Sequence, residues 1–185
     1  MARVKGGKIS SKLAYVKESY GPDMLERVRA SLPVADQAGL KLILDTGWYD
    51  FDLYSRVNTA ICKVAAGGDP AIYEKMGWHS AEVAFGKTYK VFLAKNVKDL
   101  LGKIESMHML RNEPAEMKVE FANANSCRVS VTSPKSTVEI CKINKGFYER
   151  SFQLCGGKNV VCKELQCTGK GADQCLFDIT WTAEV

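Results

Sequence analysis

Five of the chain's seven cysteines fall in its last quarter, and such a cluster can bind a metal ion. They are Cys141, Cys155, Cys162, Cys167 and Cys175. In a reducing compartment disulfides are rare, so clustered cysteines favour metal binding over bridges. Zinc takes four ligands drawn from thiolate, imidazole and carboxylate groups, which makes it the first candidate.

The spacing inside this cluster selects a few possible ligands. Glu164 and Cys167 are three residues apart, which resembles a metal knuckle with a carboxylate in place of the first thiolate. Cys175 can return to them across a hairpin, and Cys141 can approach from a helix. Cys162 competes with Glu164 because residues two apart share one face of a strand. The alternatives are that these thiols are small buried hydrophobes or that they have a redox role.

Other patterns that could support chemistry do not favour an enzyme. His79 and His108 lie far apart in sequence, and neither has a serine, cysteine or aspartate partner in a catalytic arrangement. Gly169 and Gly171 lie between two expected strands with no helix after them, so a turn is favoured over a phosphate loop. The net charge of +5 comes from lysines and arginines scattered among acids, a pattern that does not indicate nucleic-acid binding.

Composition and length indicate an ordinary globular chain. Hydrophobic residues make up 46% and charged residues 25% of the 185 residues. The N-terminus is polar, and no stretch approaches the roughly 18 apolar residues that span a bilayer. We therefore expect a cytoplasmic protein with no membrane span and a single domain over 1–185, with a mainly helical lobe at 1–112 and an α+β part at 113–185.

The elements that must position these residues differ between the two halves. In the first half, apolar residues recur every three or four positions, which predicts helices. These open near Ser10, Asp23, Asp50 and Pro70, and a last one covers 96–109.

In the second half, alternation of apolar and polar residues predicts strands. A hairpin is predicted over 117–132, a helix over 138–154 and two further strands over 159–182. The fold class is α+β, with N-terminal helices packed on an antiparallel sheet made of two C-terminal hairpins with an intervening helix.

The C-terminal hairpin resembles the end of 4-vinyl-reductase (V4R) domains. In those domains a strand carrying a glutamate and a cysteine turns through a glycine and returns with Cys-x-Phe, here Glu164, Cys167, Gly171, Cys175 and Phe177. The resemblance covers roughly residues 115–182. In the N-terminal half, the Trp48–Phe51 turn into a helix is similar to an uncharacterised paralogous family of myxobacteria with no established activity.

The V4R resemblance implies more than a fold. The wider superfamily includes TRAPP vesicle-tethering subunits and the sensor domains of phenol-responsive transcription activators. It implies an apolar pocket beside the sheet, dimerisation through helices and no shared catalytic group. In the phenol sensors a cysteine, a glutamate and two further cysteines bind zinc. The corresponding positions here are Cys141, Glu164, Cys167 and Cys175, so a structural zinc is expected.

These observations predict a non-catalytic, small-molecule-binding sensory module that forms a homodimer and takes a hydrophobic or aromatic ligand. Its pocket is expected to measure roughly 300 Å³ or more. The candidate wall residues are Phe85, Tyr89, Phe92 and Phe121, although packing in the core is the alternative for such aromatics. The alternative function is a protein-interaction or scaffold dimer without a ligand.

Overall fold

The protein is described from a computed structural model, which covers residues 2–88, 96–133 and 135–182. The α-helices within these ranges are α1 (Gly6–Tyr20), α2 (Pro22–Ala30), α3 (Val34–Leu40), α4 (Phe51–Ala65), α5 (Ile72–Val83), α6 (Val97–Met109) and α7 (Val138–Leu154). The strands are β1 (Arg3–Lys5), β2 (Trp48–Asp50), β3 (Asn112–Glu113), β4 (Glu116–Asn123), β5 (Ser126–Thr132), β6 (Lys158–Gln166) and β7 (Cys175–Thr182).

Local sequence signals explain where several helices begin and end. Asn96 and Thr137 cap α6 and α7, since their side chains accept hydrogen bonds from the backbone amides of Asp99 and Ile140. Gly21 separates α1 from α2 with a φ of 88°, a conformation that glycine adopts without strain. A π-helical turn over Ala84–Thr88 continues α5.

The C-terminal half contains a four-stranded antiparallel sheet with strand order β4-β5-β7-β6. The β4–β5 and β6–β7 hairpins are joined through β5 and β7, where Cys127 pairs with Ile179 and Val129 with Phe177. Along β7 every second residue is buried, so its apolar face lies against the core. The predicted α+β class with two C-terminal hairpins in one antiparallel sheet is confirmed.

Helix α7 lies between two hydrophobic cores. Its Ile140 and Ile143 pack with the apolar faces of the N-terminal helices. Its Tyr148 packs on the sheet, with ring centroids 5.2 Å from Phe177 at an interplanar angle of 73°. One helix therefore connects the N-terminal helices to the sheet, and any group buried beside it contacts both halves.

The small elements of the N-terminal half were not predicted from the sequence. Helix α3 has seven residues, and each strand of the three-stranded sheet β2-β1-β3 has three or fewer. Segments this short do not show a periodic pattern of apolar residues. Over the described ranges, none of the helices combines the length and apolar character needed to cross a membrane.

Candidate functional site

Three of the predicted metal ligands meet at the N-terminal end of α7. Cys141 lies in the first turn of α7, Cys167 follows β6, and Cys175 opens β7. The Sγ of Cys141 lies 2.9 Å from that of Cys175 and 3.2 Å from that of Cys167. All three side chains are buried, and their sulfur atoms form one group that could hold a metal ion.

The two closest thiols, Cys141 and Cys175, lie within hydrogen-bond distance of each other. A hydrogen bond with Cys141 is the largest cause that lowers the pKa of Cys175, and the same bond is the largest cause that raises the pKa of Cys141. The Thr168 hydroxyl, 3.3 Å from the Cys175 sulfur, further favours the thiolate there. Cys175 is therefore the thiol of this cluster that most readily carries negative charge.

The fourth predicted ligand lies outside the thiol group. Glu164 forms an ion pair of 2.7 Å with Lys170 across the β6–β7 turn. Its rival Cys162 is buried in the sheet core and is not part of the group. The structure therefore brings together the sulfur atoms of Cys141, Cys167 and Cys175. Neither Glu164 nor Cys162 is part of this group.

Two of the four predicted pocket-wall residues, Phe85 and Phe121, lie in the described part of the chain. Phe85 is buried in the C-terminal core, whereas Phe121 is 58% exposed on the edge strand β4. Phe121 lies on the same face of β4 as the buried Met117 and pairs with Cys127, but it stands at the exposed end of this edge strand. Tyr89 and Phe92 lie outside the described residues.

A different space lies between the helices, and we call it the central cavity. It measures about 40 Å³, much less than the roughly 300 Å³ predicted from the sequence. Its polar lining consists of Lys8, Lys12, Tyr54, Ser80, His108, Arg111, Asn112, Asn144 and Tyr148, and its apolar lining of Ile104, Met107, Met117, Ile143 and Phe147.

Two lysines of α1 reach this cavity with neutral partners. The Lys12 ammonium donates to the Met76 carbonyl at 3.1 Å and to the Ser80 hydroxyl. The Lys8 ammonium donates to Oδ1 of Asn112 at 2.6 Å. Among the described residues, neither lysine forms an ion pair with a carboxylate, and none of the residues around the central cavity is acidic.

Burial makes both lysines easier to deprotonate. It is the largest cause lowering the pKa of Lys8 to about 7, and Arg111 adds to it. Burial likewise lowers the pKa of Lys12 well below its usual range, with Lys8 and Arg111 contributing. The positive charges around the cavity therefore repel one another, and among the described residues that line it none is acidic.

Several polar atoms of the cavity wall have no hydrogen-bond partner. Among them are Oη of Tyr148 and Nε2 of His108, both buried. Burial, together with the charges of Lys8 and Arg111, lowers the pKa of His108 to about 3, so its imidazole is neutral at neutral pH. Buried polar atoms are nearly always paired, since each unmet one costs roughly 1–3 kcal/mol. These groups are therefore available to bind a molecule in the cavity.

The central cavity was not predicted from the sequence, although a charged residue on an apolar helix face is a signal of it. Lys12 follows Ile9 by three residues and precedes Val16 by four, so it lies on the apolar face of α1. Lys8 is one turn earlier on the same side. A charged residue on a buried face is uncommon and often functional, which makes this spacing the detectable sign.

Comparisons with known proteins give a partial family match and several structures of similar fold. Residues 120–181, about a third of the chain, match the V4R domain family, as the C-terminal motif predicted. No curated protein matches the chain in sequence. The match does not reach the N-terminal half, so its resemblance to the myxobacterial family stays a prediction.

Solved structures show a similarity over nearly the whole chain. An Fe(II) unliganded H-NOX protein from K. algicida superposes with a TM-score of 0.73 at 16% identity and covers 98% of each chain. An Fe(II) H-NOX protein from S. oneidensis superposes with a TM-score of 0.78 at 13% identity and covers 98% of this chain and 97% of its own. The TM-scores show a shared fold, and at identities this low they show the fold alone.

The comparison corrects the predicted cofactor. Neighbours of the same fold are heme proteins, including one in which heme redox potential is modulated through porphyrin distortion. The four-ligand zinc shell is not assembled either, because Glu164 pairs with Lys170 instead of joining the three cysteines. The prediction of a structural zinc ion is therefore wrong.

Proposed function

We propose that this chain is a non-catalytic domain that senses a small molecule bound in the central cavity. The observation that carries the proposal is the set of unpaired buried atoms around that cavity, His108 Nε2 and Tyr148 Oη, beside the unbalanced cations Lys8 and Lys12. A ligand that hydrogen-bonds these groups would remove the cost of burying them.

The position of the cavity suits a sensor. Its walls come from α1, α4, α5, α6 and α7, and α7 also packs on the sheet. An occupant would therefore contact elements of both halves and favour one arrangement of them. In support, a neighbour from S. oneidensis with this fold is in an Fe(II)NO ligation state.

Binding is favoured over catalysis by the chemistry of the wall. General acid–base chemistry needs a group whose pKa lies near the working pH and that is held by an orienting partner. His108 does not meet this condition, with a pKa of about 3. Lys8, with a pKa of about 7, does meet it, but among the described residues the cavity wall offers it no carboxylate as a second acid–base group. The homodimer predicted from the sequence stays a prediction.

Heme does not fit the central cavity. The neutral imidazole of His108 is the feature that favours it, since a proximal histidine is one ligand that holds heme iron. However, a space of about 40 Å³ is far below the roughly 300 Å³ at which ligand pockets begin. Lys8 and Lys12 also line that space. The ligand that we propose is therefore much smaller than a porphyrin.

Native mass spectrometry of the full chain with cavity-filling variants tests the proposal. We expect wild-type protein to retain a small non-covalent mass and Met107→Trp to lose it, because Met107 is 3% exposed and lines the cavity. Met109→Trp is the matched control, on the same helix but 50% exposed, and should retain the mass. Met117→Phe provides a second filling variant from β4 if the first unfolds.

Two results would overturn the proposal. One is wild-type protein that carries no bound molecule and whose unfolding midpoint is unchanged by a library of small acids, alcohols and aromatics. The other is retention of the same mass by both filling variants, which would place the molecule elsewhere.

A further inference from the structure

We propose that the ligand of the central cavity is a small oxyanion, such as a short-chain carboxylate, held by Lys8 and Lys12. This inference rests on the proposed function and specifies the class of ligand. It is carried by the charges and hydrogen bonds of the cavity wall, the unpaired donors and the size of the space.

The charge balance is the first step. Lys12 is 1% exposed, and buried ammonium groups are normally paired with an acid. The charges that lower the pKa of Lys12 belong to Lys8 and Arg111, and both are positive. Among the described residues no carboxylate compensates either lysine, so a negative charge from outside the chain is the missing partner.

The hydrogen bonds leave donors free for such a partner. An ammonium group has three donors. Lys12 uses two of them, on Met76 and Ser80, and Lys8 uses one, on Asn112. The Lys8 ammonium also lies 5.0 Å from the ring centroid of Tyr54. Donors therefore remain on both lysines, and charge-assisted bonds to an oxyanion are stronger than bonds between neutral groups.

The unpaired groups of the wall add to these donors. The Tyr148 side chain is 2% exposed, and its hydroxyl has no partner. The neutral imidazole of His108 can donate through Nε2 in one of its tautomers. A carboxylate has two oxygens with several acceptor sites. It therefore suits a wall that offers several donors and, among the described residues, no negatively charged acceptor.

The space limits the size of the anion. One water needs roughly 10–15 Å³ by this measure, so about 40 Å³ holds a group of a few heavy atoms. A cleft of about 250 Å³ lies alongside and shares Ser80 and Arg111 with the central cavity. A carboxylate fits the inner space, and a short chain attached to it can occupy this cleft.

Acetate and formate are the probes for the experiment. Binding of each to the full chain is measured by isothermal titration calorimetry, with sodium chloride at the same ionic strength as the salt control. We expect saturable binding that is at least about tenfold weaker in Lys12→Met, because a charge-assisted bond is lost. Lys17→Met is the matched control, an exposed lysine of the same helix, and should bind like the wild type.

Two further readouts separate a binding lysine from a structural one. Without ligand, Lys12→Met should raise the unfolding midpoint, since an apolar side chain of similar length removes the cost of burying an amine, whether that cost is a buried charge or the loss of its proton. A lysine present only to hold Met76 and Ser80 would lower it on substitution. Near pH 8, acetate binding should take up a proton, because a bound anion raises the pKa of Lys8 from about 7.

The outcomes distinguish this inference from the proposed function. If neither probe binds and native mass spectrometry shows a neutral molecule that Met107→Trp displaces, the oxyanion assignment fails and the sensory cavity stands. Equal heats from chloride and acetate would also overturn the assignment. If no molecule is retained and no probe binds, both proposals fail.

Discussion

Gly77 of α5 and Gly146 of α7 lie against each other where the two helix backbones touch. A Cβ on Gly77 would come well under 3.0 Å from the carbonyl oxygen of Ile143, and a Cβ on Gly146 equally close to that of Glu74. Real Cβ atoms do not approach backbone so closely. This contact joins α5 of the N-terminal helices to α7 beside the central cavity, whose wall includes Ile143.

Substitution of these glycines tests the contact. Alanine favours a helix by about 1 kcal/mol over glycine, but overpacking costs about 1–3 kcal/mol or more. We expect Gly77→Ala and Gly146→Ala each to lower the free energy of unfolding, measured by chemical denaturation. Gly102→Ala in α6 is the control, since a Cβ there meets nothing within 4 Å, and it should stabilise the fold by up to about 1 kcal/mol. Equal effects at all three positions would show that the helices do not touch.

The buried imidazole of His108 makes stability depend on pH. Its pKa is lowered from 6.5 to about 3 in the folded protein, so between these values the unfolded chain binds a proton that the folded chain does not. The contribution of His108 to stability is therefore present above 6.5 and is lost as the pH falls towards 3. In His108→Leu the free energy of unfolding should fall less steeply over this range. An unchanged slope in His108→Leu would contradict this assignment.

The thiol cluster predicts an unequal response to removal of cysteines. Cys175→Ala deprives the Cys141 and Thr168 side chains of their sulfur partner, whereas Cys127, equally buried, has no such contact among the described residues. We expect Cys175→Ala to cost about 1 kcal/mol more than Cys127→Ala. Denaturant titration of both variants under reducing conditions measures the difference. Equal costs would make the cluster ordinary packing.

The small central cavity predicts that the chain does not bind heme. Protein produced with a heme precursor in the medium should purify without a porphyrin absorption band, because Lys8 and Lys12 line a space of about 40 Å³. Lys17→Met, changed outside the cavity, should give the same spectrum. A stoichiometric band that disappears in His108→Ala would show that the cavity opens to a porphyrin.

Much of the C-terminal half could be predicted from the sequence because its signals are local. Alternation along β5 and β7 specifies which face is buried, and a strand's side chains point to opposite faces whatever else surrounds them. Thr137 sets the start of α7 through a bond to Ile140, three residues away. The motif from Glu164 to Phe177 identified the V4R-type region on the same basis.

The site itself was decided by the tertiary structure. Whether Glu164 joins Cys167 depends on the β6–β7 turn, which places Lys170 within 2.7 Å of its carboxylate. The central cavity combines Lys12 of α1, His108 of α6 and Tyr148 of α7, residues up to 136 positions apart in the chain. Side-chain patterns report which face of an element is buried but not which partner it meets there. Only the packing of the helices brings Lys8 and Lys12, which have no carboxylate partner among the described residues, and several unpaired polar atoms around one cavity.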